Sequence, residues 1–133
     1  MIVVLDASAA CELLLHRPKA AAVDERLRSA QQVLVPDLFV SEVANVLWKY
    51  IKAKELDLAM AQTCLDLGVK LADRIIAAST LMQEALVTSA AAKHPIYDML
   101  YIILARREGA RLLSMDRKLL SIAQDLGVAG FAF

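Results

Sequence analysis

The chain has 133 residues, about the length of one domain, and its composition excludes several classes of protein. Hydrophobic residues make up 59% of the sequence, above the usual roughly 45–50%, which excludes intrinsic disorder. Fifteen Lys and Arg residues balance fifteen Asp and Glu residues, so there is no global electrostatic signal for nucleic acid or anionic membranes. The longest uncharged run, Ile75 to Gln83, is far shorter than a membrane span.

The compartment predicted from the sequence is the cytoplasm. The opening residues MIVVLD lack the basic region of a secretory signal. Cys11 and Cys64 form no C-x-x-C motif and are interpreted as small buried hydrophobes in a reducing environment.

The first quarter of the chain alternates short apolar runs with helical patterns. Ile2 to Leu5 is rich in β-branched residues and predicts a buried parallel strand. Helices are predicted from Ala9 to Leu15 and from about Lys19 to Ala30. Val33 to Val35 predicts a second strand.

From Asp37 onward the hydrophobic period becomes helical. One apolar stripe contains Leu38, Phe39, Val43, Val46, Leu47, Tyr50 and Ile51. The later predicted elements are a helix over about 58–71, a short strand over 74–77, helices over 81–92 and 96–107, a strand over 111–115, a helix over 117–126 and an edge strand at Val128.

Strands that alternate with helices predict an α/β fold with a parallel sheet covered on both faces. The region 37–107 is interpreted as a mostly helical insertion in this alternation. No linker or internal repeat is visible, so residues 1–133 are expected to form a single domain.

Two acids are placed where such a fold binds ligands, beyond the carboxyl ends of the strands. Asp6 directly follows the first strand, and Asp116 follows the strand predicted over 111–115. If the two strands are neighbours, the two carboxylates meet. Each aspartate has an alternative interpretation as a helix N-cap.

Two further acids stand out within helices. Glu42 lies among Val40, Val43 and Val46, where an unpaired buried carboxylate would cost several kcal/mol. It is therefore exposed or compensated by positive charge. Asp98 lies near a helix start, where the helix dipole favours a carboxylate for local reasons.

The four acids together predict a site for a hard divalent cation. Converging carboxylates raise each other's pKa, and Mg²⁺ or Mn²⁺ resolves the conflict because such ions prefer oxygen ligands. His16 and His94 are the only histidines and lack metal-ligand spacing, which disfavours zinc. Carboxylate-bound Mg²⁺ suits phosphodiester hydrolysis.

Four segments, in this order, resemble the motifs of PIN-domain ribonucleases of the VapC toxin type. They are Val3 to Ser8 (VVLDAS), Val40 to Leu47 (VSEVANVL), His94 to Ala105 (HPIYDMLYIILA) and Leu112 to Leu119 (LLSMDRKL). In the third segment the family usually has Tyr-Asp-x-x-Tyr followed by Leu-Ala. The resemblance covers essentially the whole chain.

The resemblance implies a Rossmann-like three-layer PIN domain with a central parallel sheet of about five strands flanked by helices. It also implies an endoribonuclease that uses Mg²⁺, or Mn²⁺ as a substitute, with one or two ions. Asp6, Glu42, Asp98 and Asp116 take the catalytic and metal-binding roles of the family's acidic quartet. Of these, Asp6, Asp98 and Asp116 are expected to touch metal directly or through water, and Glu42 ligates it or orients the attacking water.

Supporting polar residues follow from the same alignment of motifs. Ser8 and Ser114 match the family's hydroxyl positions, although Ser114 is more often Thr and both serines also suit an N-cap or a strand-end hydrogen bond. Asn45, one turn after Glu42, either faces the same cleft or is a plain polar helix position.

Four basic residues near the motifs are candidates for contact with the RNA backbone. They are Lys49, Lys52, Arg117 and Lys118. A solvated helix face is the simpler explanation for most basic residues of this kind. The resemblance further implies a homodimer and a cognate antitoxin whose C-terminal segment lies in a groove near the site. No membrane association is expected, because the chain has no apolar run long enough to span a bilayer.

Three other functions compete with this interpretation. A receiver-like phosphotransfer domain would use Asp6 as acceptor, but a second acid beside Asp6 is absent and Asp116 stands where a lysine is expected. A non-catalytic PIN-like module would act only in binding or dimerisation, although such modules lose acids that are all present here. A structure-specific DNA nuclease would need an extra helical arch for which the chain is short.

Overall fold

The computed structural model describes residues 1–133, and a parallel sheet of four strands forms its centre. The strands are β1 (Ile2–Leu5), β2 (Gln32–Pro36), β3 (Arg74–Ile76) and β4 (Arg111–Leu113). Their spatial order is β3-β2-β1-β4. Because β1 pairs in parallel with both β2 and β4, the residue after β1 lies in the middle of the carboxyl edge.

Seven helices flank the sheet. They are α1 (Ala7–Leu14), α2 (Ala20–Ser29), α3 (Leu38–Lys52), α4 (Leu58–Lys70), α5 (Met82–Ala92), α6 (Ile96–Glu108) and α7 (Arg117–Asp125), with a short 3₁₀ helix over Ala78–Thr80. Helices α1 to α4 pack among themselves, whereas α6 packs against α5 and lies on β1, β2 and β4. The α/β fold class predicted from the sequence is confirmed.

The core contains the sheet, α6 and the buried sides of the other helices. Val3, Val4 and Leu5 of β1 are fully buried, as expected for a parallel strand covered on both faces. The segment from Met99 to Ala105 is buried at every position, which explains why α6 has no polar stripe. This burial fixes α6 against the sheet and thereby fixes Asp98 in its first turn.

The expectation of about five strands is wrong, since the sheet has four. The segment predicted as an edge strand at Val128 makes only an isolated parallel bridge, between Leu112 and Gly130. A Cβ at Gly130 would lie 2.5 Å from the side chain of Leu120. The absence of a Cβ at Gly130 therefore allows the chain to pass between β4 and the Leu120 side chain of α7.

The two largest differences from the predicted element boundaries both lie at the carboxyl edge. Helix α1 begins at Ala7 rather than Ala9 because the side chain of Asp6 accepts a hydrogen bond from the Ala9 N–H, 3.0 Å away, and caps the helix. Strand β4 ends at Leu113 rather than Met115, since the Met115 N–H donates to Ser8 Oγ (2.9 Å) and not to the sheet.

The two cysteines are buried, as predicted. Cys11 and Cys64 both lie in the core, and burial raises the pKa of the Cys11 thiol to about 12. They behave as small hydrophobes.

None of the seven helices combines the length and the apolar content that crossing a bilayer requires.

Candidate active site

The carboxyl edge of the sheet opens onto a cleft of about 270 Å³ that is lined by four carboxylates. They belong to Asp6, Glu42, Asp98 and Asp116. The other polar side chains of the cleft are Ser8, Asn45, Lys49 and Tyr101. The structure thus gathers all four acids that the sequence singled out.

Each acid reaches the cleft from a different element. Asp6 follows the central strand β1, and Asp116 follows the neighbouring strand β4, with Leu5 opposite Leu113 in register. Glu42 lies in the second turn of α3 and Asp98 in the first turn of α6. Strands β1 and β4 are therefore neighbours in the sheet, as the meeting of Asp6 and Asp116 requires.

Asp6 is the most constrained of the four carboxylates. The residue is 5% exposed, and its two oxygens accept three hydrogen bonds. Oδ1 accepts from Ser8 Oγ (2.7 Å) and the Ala9 N–H (3.0 Å), and Oδ2 accepts from Ser114 Oγ (2.5 Å). Burial raises the pKa of Asp6 to about 6, and these hydrogen bonds limit the rise.

The two predicted hydroxyl residues connect Asp6 to the other wall of the cleft. Ser114 is fully buried, and its Oγ accepts from the Asp116 N–H at 2.9 Å while donating to Asp6. The Asp116 side chain in turn caps α7, accepting from the N–H groups of Lys118 and Leu119. The N-cap interpretations of Asp6 and Asp116 are therefore correct and compatible with a place in the cleft.

Glu42 has a hydrogen-bond partner that the sequence analysis did not assign. The hydroxyl of Tyr101, which is 2% exposed, donates to Glu42 Oε1 at 2.5 Å. Burial raises the pKa of Glu42, the hydrogen bond from Tyr101 opposes the rise, and the Asp98 carboxylate adds to it. Tyr101 therefore holds one oxygen of Glu42 in place within the cleft.

Replacing Tyr101 by phenylalanine is expected to lower the free energy of unfolding by about 1–2 kcal/mol at neutral pH, because Glu42 loses its charge-assisted hydrogen bond. Tyr97→Phe is the matched control on the same helix, since Tyr97 is 65% exposed. Urea unfolding of both variants and the wild type measures the effect. Equal midpoints for the two variants would show that the hydroxyl of Tyr101 contributes nothing.

Asp98 is held by a histidine from the turn before its own helix. His94 Nε2 lies 2.9 Å from Asp98 Oδ2, and the His94 side chain is only 8% exposed. From the sequence, His94 was interpreted only with regard to metal binding. The i,i+4 spacing of the two residues was the signal that pairs them.

The four basic candidates for RNA contact separate into two groups. Lys49 lines the acidic cleft. Lys52 is exposed and lies over the ring of Trp48, 5.4 Å from its centroid, outside the residues that line the cleft. Arg117 lines a different cavity along α7, and the Lys118 side chain has no contact with the acids. Of the four basic residues, only Lys49 lines the cleft together with the four carboxylates.

The donor set of the cleft fits a hard divalent cation. Four carboxylates and one lysine line it. Burial raises the pKa of Asp6 and of Glu42, and in each case a neighbouring carboxylate adds to the rise. No three His, Cys, Asp or Glu side chains stand close enough together to form a preformed metal cluster. Carboxylate oxygens are the type of ligand that Mg²⁺ prefers, so the chemistry of the lining residues fits such an ion.

A comparison with known proteins identifies the class that this fold and cleft define. The family model for the PIN domain matches residues 3–125, so the chain belongs to the PIN-domain family. It is similar to Ribonuclease VapC3 of Pyrobaculum aerophilum, with 30% identity over 123 residues, covering 90% of this chain and 92% of that protein.

Two solved structures share the fold. The crystal structure of PAE2754 from Pyrobaculum aerophilum matches with a TM-score of 0.77 and 23% identity, over 98% of this chain and 83% of that one. The crystal structure of VapBC2 from Rickettsia felis, bound to a DNA fragment from its promoter, matches with a TM-score of 0.70 and 16% identity. The match covers 100% of this chain and 99% of that one. The sequence resemblance to VapC-type ribonucleases is confirmed.

Proposed function

We propose that this protein is a Mg²⁺- or Mn²⁺-dependent endoribonuclease and the toxin of a VapBC-type toxin–antitoxin pair. One observation carries the proposal: four carboxylates from four separate elements line a single cleft at the carboxyl edge of the sheet. The match to the PIN-domain family and the similarity to Ribonuclease VapC3 support RNA as the substrate.

Within the proposed mechanism, the chain's own residues position the reacting groups. Asp6, Asp98 and Asp116 would hold one or two divalent cations, directly or through water. A divalent cation at such a site supplies activation of water and stabilisation of charge on the phosphodiester. Glu42, oriented by Tyr101, aligns the attacking water, and Ser8 with Ser114 keeps Asp6 in its orientation.

Lys49 is proposed to contact the RNA backbone. Its side chain lines the cleft and brings the one positive charge among the lining residues. A phosphate that enters beside four carboxylates needs such a charge to offset repulsion. Lys52, Arg117 and Lys118 would serve only a longer RNA that extends beyond the cleft.

Phosphotransfer to Asp6, the receiver-like alternative, is disfavoured by the residues at the carboxyl edge. No second acid stands beside Asp6 in the segment Asp6-Ala7-Ser8. Asp116 follows β4, where a receiver-like domain would place a lysine. Hydrolysis without a side-chain nucleophile is the better use of this carboxylate.

The proposed partners are a second copy of the chain and a cognate antitoxin. Four large apolar side chains on α3 and α4 are at least half exposed, which supports burial in a homodimer: Trp48, Leu58, Met60 and Leu67. The solved structure of VapBC2 holds a DNA fragment from its promoter, and the similarity to it supports a cognate antitoxin as a partner of this chain.

The proposed compartment is the cytoplasm, with which the two free cysteines are consistent.

Cleavage of a total cellular RNA pool tests the proposed function. With Mg²⁺ or Mn²⁺ the wild type is expected to produce discrete fragments, which EDTA and the Asp98→Asn substitution abolish. Asp66→Asn is the matched control, because Asp66 is exposed on α4 and outside the cleft, and it should cleave like the wild type. Fragments that persist in Asp98→Asn or in EDTA would contradict the proposal.

A further inference from the structure

A second cavity of about 250 Å³ adjoins the acidic cleft. Ser8 and Val46 line both, so the two spaces share a wall. The polar residues of the second cavity that lie farther from the acids are Glu12, Arg17 and Tyr50. Glu12 lies six residues after Asp6 on α1, which corresponds to about 9 Å along the helix.

The Glu12 carboxylate accepts no hydrogen bond from another group of the chain. Its side chain is 10% exposed, and it forms an ion pair with Arg17, whose Nε lies 3.4 Å from Oε1. Its oxygens are not among the buried polar atoms that lack a partner, and Glu12 lines the cavity. A ligand in the cavity can therefore donate hydrogen bonds to the carboxylate in place of water.

Arg17 and Tyr50 form the outer side of the cavity. The Arg17 guanidinium donates to the hydroxyl of Tyr50, and the Arg17 side chain is 53% exposed. The backbone N–H of Arg17 donates to the carbonyl of Glu12 (2.9 Å), which keeps the arginine beside the carboxylate. A planar group inside would thus meet a carboxylate, a guanidinium and an aromatic ring.

We propose that this cavity, the Glu12 cavity, binds a guanine base that flanks the scissile phosphate; the inference rests on the proposed ribonuclease function. Guanine is the RNA base with two adjacent donors, N1–H and N2–H, on its Watson–Crick edge, and these match the two oxygens of Glu12. Its O6 and N7 acceptors suit Arg17. Single-stranded RNA is read on such edges, with aromatic stacking, which Tyr50 supplies.

The size and walls of the Glu12 cavity also fit one base. Its volume is below the roughly 300 Å³ at which sites for drug-sized ligands begin. The remaining walls are mostly apolar, with Leu15, Val46 and Met115, which suits the faces of a ring. The contiguity with the acidic cleft places the base on a nucleotide next to the one whose phosphate meets the acids.

Mapping the cut sites in an RNA library with randomised single-stranded sequence tests the proposal. The wild type is expected to require guanine at one fixed position beside the cut. Glu12→Gln should reduce the preference for guanine over adenine at least about fivefold, because glutamine offers one acceptor and one donor, the pattern that matches adenine. Glu25→Gln, on the exposed face of α2, is the matched control and should retain the guanine preference.

Cleavage with no base preference at that position, or with the same guanine preference in Glu12→Gln, overturns the base site and leaves the nuclease intact. An unchanged cleavage pattern combined with loss of binding of an arginine-containing peptide in Glu12→Gln assigns the cavity to a protein partner instead, and also overturns the proposal. Thermal unfolding of Glu12→Gln checks that the variant is folded.

A second readout decides the question if no RNA is cleaved. NMR titration of the wild type with 5′-GMP and 5′-AMP is expected to show GMP binding at least about fivefold tighter, with the selectivity lost in Glu12→Gln. This result without cleavage would keep the base site and reject the nuclease. Equal affinities for GMP and AMP would overturn the base site.

Discussion

Replacing Asp6 by asparagine is expected to abolish RNA cleavage while making the metal-free protein more stable at pH 7. Activity should fall at least about a hundredfold, because a divalent cation at such a site contributes several kcal/mol to transition-state stabilisation. Stability should rise because the ionised carboxylate is 5% exposed and pays a desolvation cost that a neutral amide avoids.

The sign of the stability effect follows from the pKa. Burial raises the pKa of Asp6 from 3.8 to about 6 in the folded protein, so the folded state binds the proton more tightly than the unfolded chain. Proton binding by Asp6 stabilises the folded state fully below about pH 4. This stabilisation, of up to about 3 kcal/mol, is lost as the pH rises through 6. The gain of Asp6→Asn over the wild type should therefore vanish at pH 4 and be greatest above pH 6.

Urea unfolding in EDTA at pH 4, 5, 6 and 7 measures this difference. Asp66→Asn, at an exposed position, should follow the wild type at every pH. A gain for Asp6→Asn that is equal at pH 4 and pH 7 would show that the charge of Asp6 is not the cause.

Replacing Ser114 by alanine is expected to destabilise the protein by about 2–4 kcal/mol at pH 7. Ser114 is fully buried, and its hydroxyl both donates to Asp6 Oδ2 and accepts from the Asp116 N–H. The substitution leaves a buried carboxylate oxygen and a backbone N–H without partners, and each such group costs about 1–3 kcal/mol. It also removes a hydrogen bond that lowers the pKa of Asp6, so that pKa should rise further.

Ser121→Ala provides the control for Ser114→Ala, since Ser121 is exposed on α7. Its free energy of unfolding should stay within about 0.5 kcal/mol of the wild type. If Ser114→Ala is as stable as Ser121→Ala, the Ser114 hydroxyl does not bridge the two walls of the cleft.

The elements around Asp6 could be predicted because local signals there agree with the tertiary fold. The run from Ile2 to Leu5 is apolar and β-branched, and the strand has these same bounds. Asp6 follows it at the carboxyl edge, where the parallel pairing with β4 brings Asp116 into the same cleft. That Glu42 and Asp98 lie in the same cleft as Asp6 and Asp116 could be predicted only from the family resemblance, which depends on the order of the four motifs.

Other features depend on contacts between distant residues, which periodicity does not encode. The pairing of Tyr101 with Glu42 joins α6 to α3, and no local pattern indicates it. The number of strands was overestimated because Val128 suits a strand, but its segment makes one bridge at Gly130. The place of Glu12 in a cavity beside the cleft depends on the packing of α1 against α3, which the local sequence does not show.

The most direct test of the central claim, that the acids of the cleft together bind a divalent cation for RNA cleavage, is Mn²⁺ binding measured by electron paramagnetic resonance. The wild type and Asp66→Asn are expected to bind Mn²⁺ with equal affinity, and Asp98→Asn at least about tenfold more weakly. Equal binding by all three proteins, or no binding by the wild type, would contradict the account and favour a non-catalytic PIN-like module.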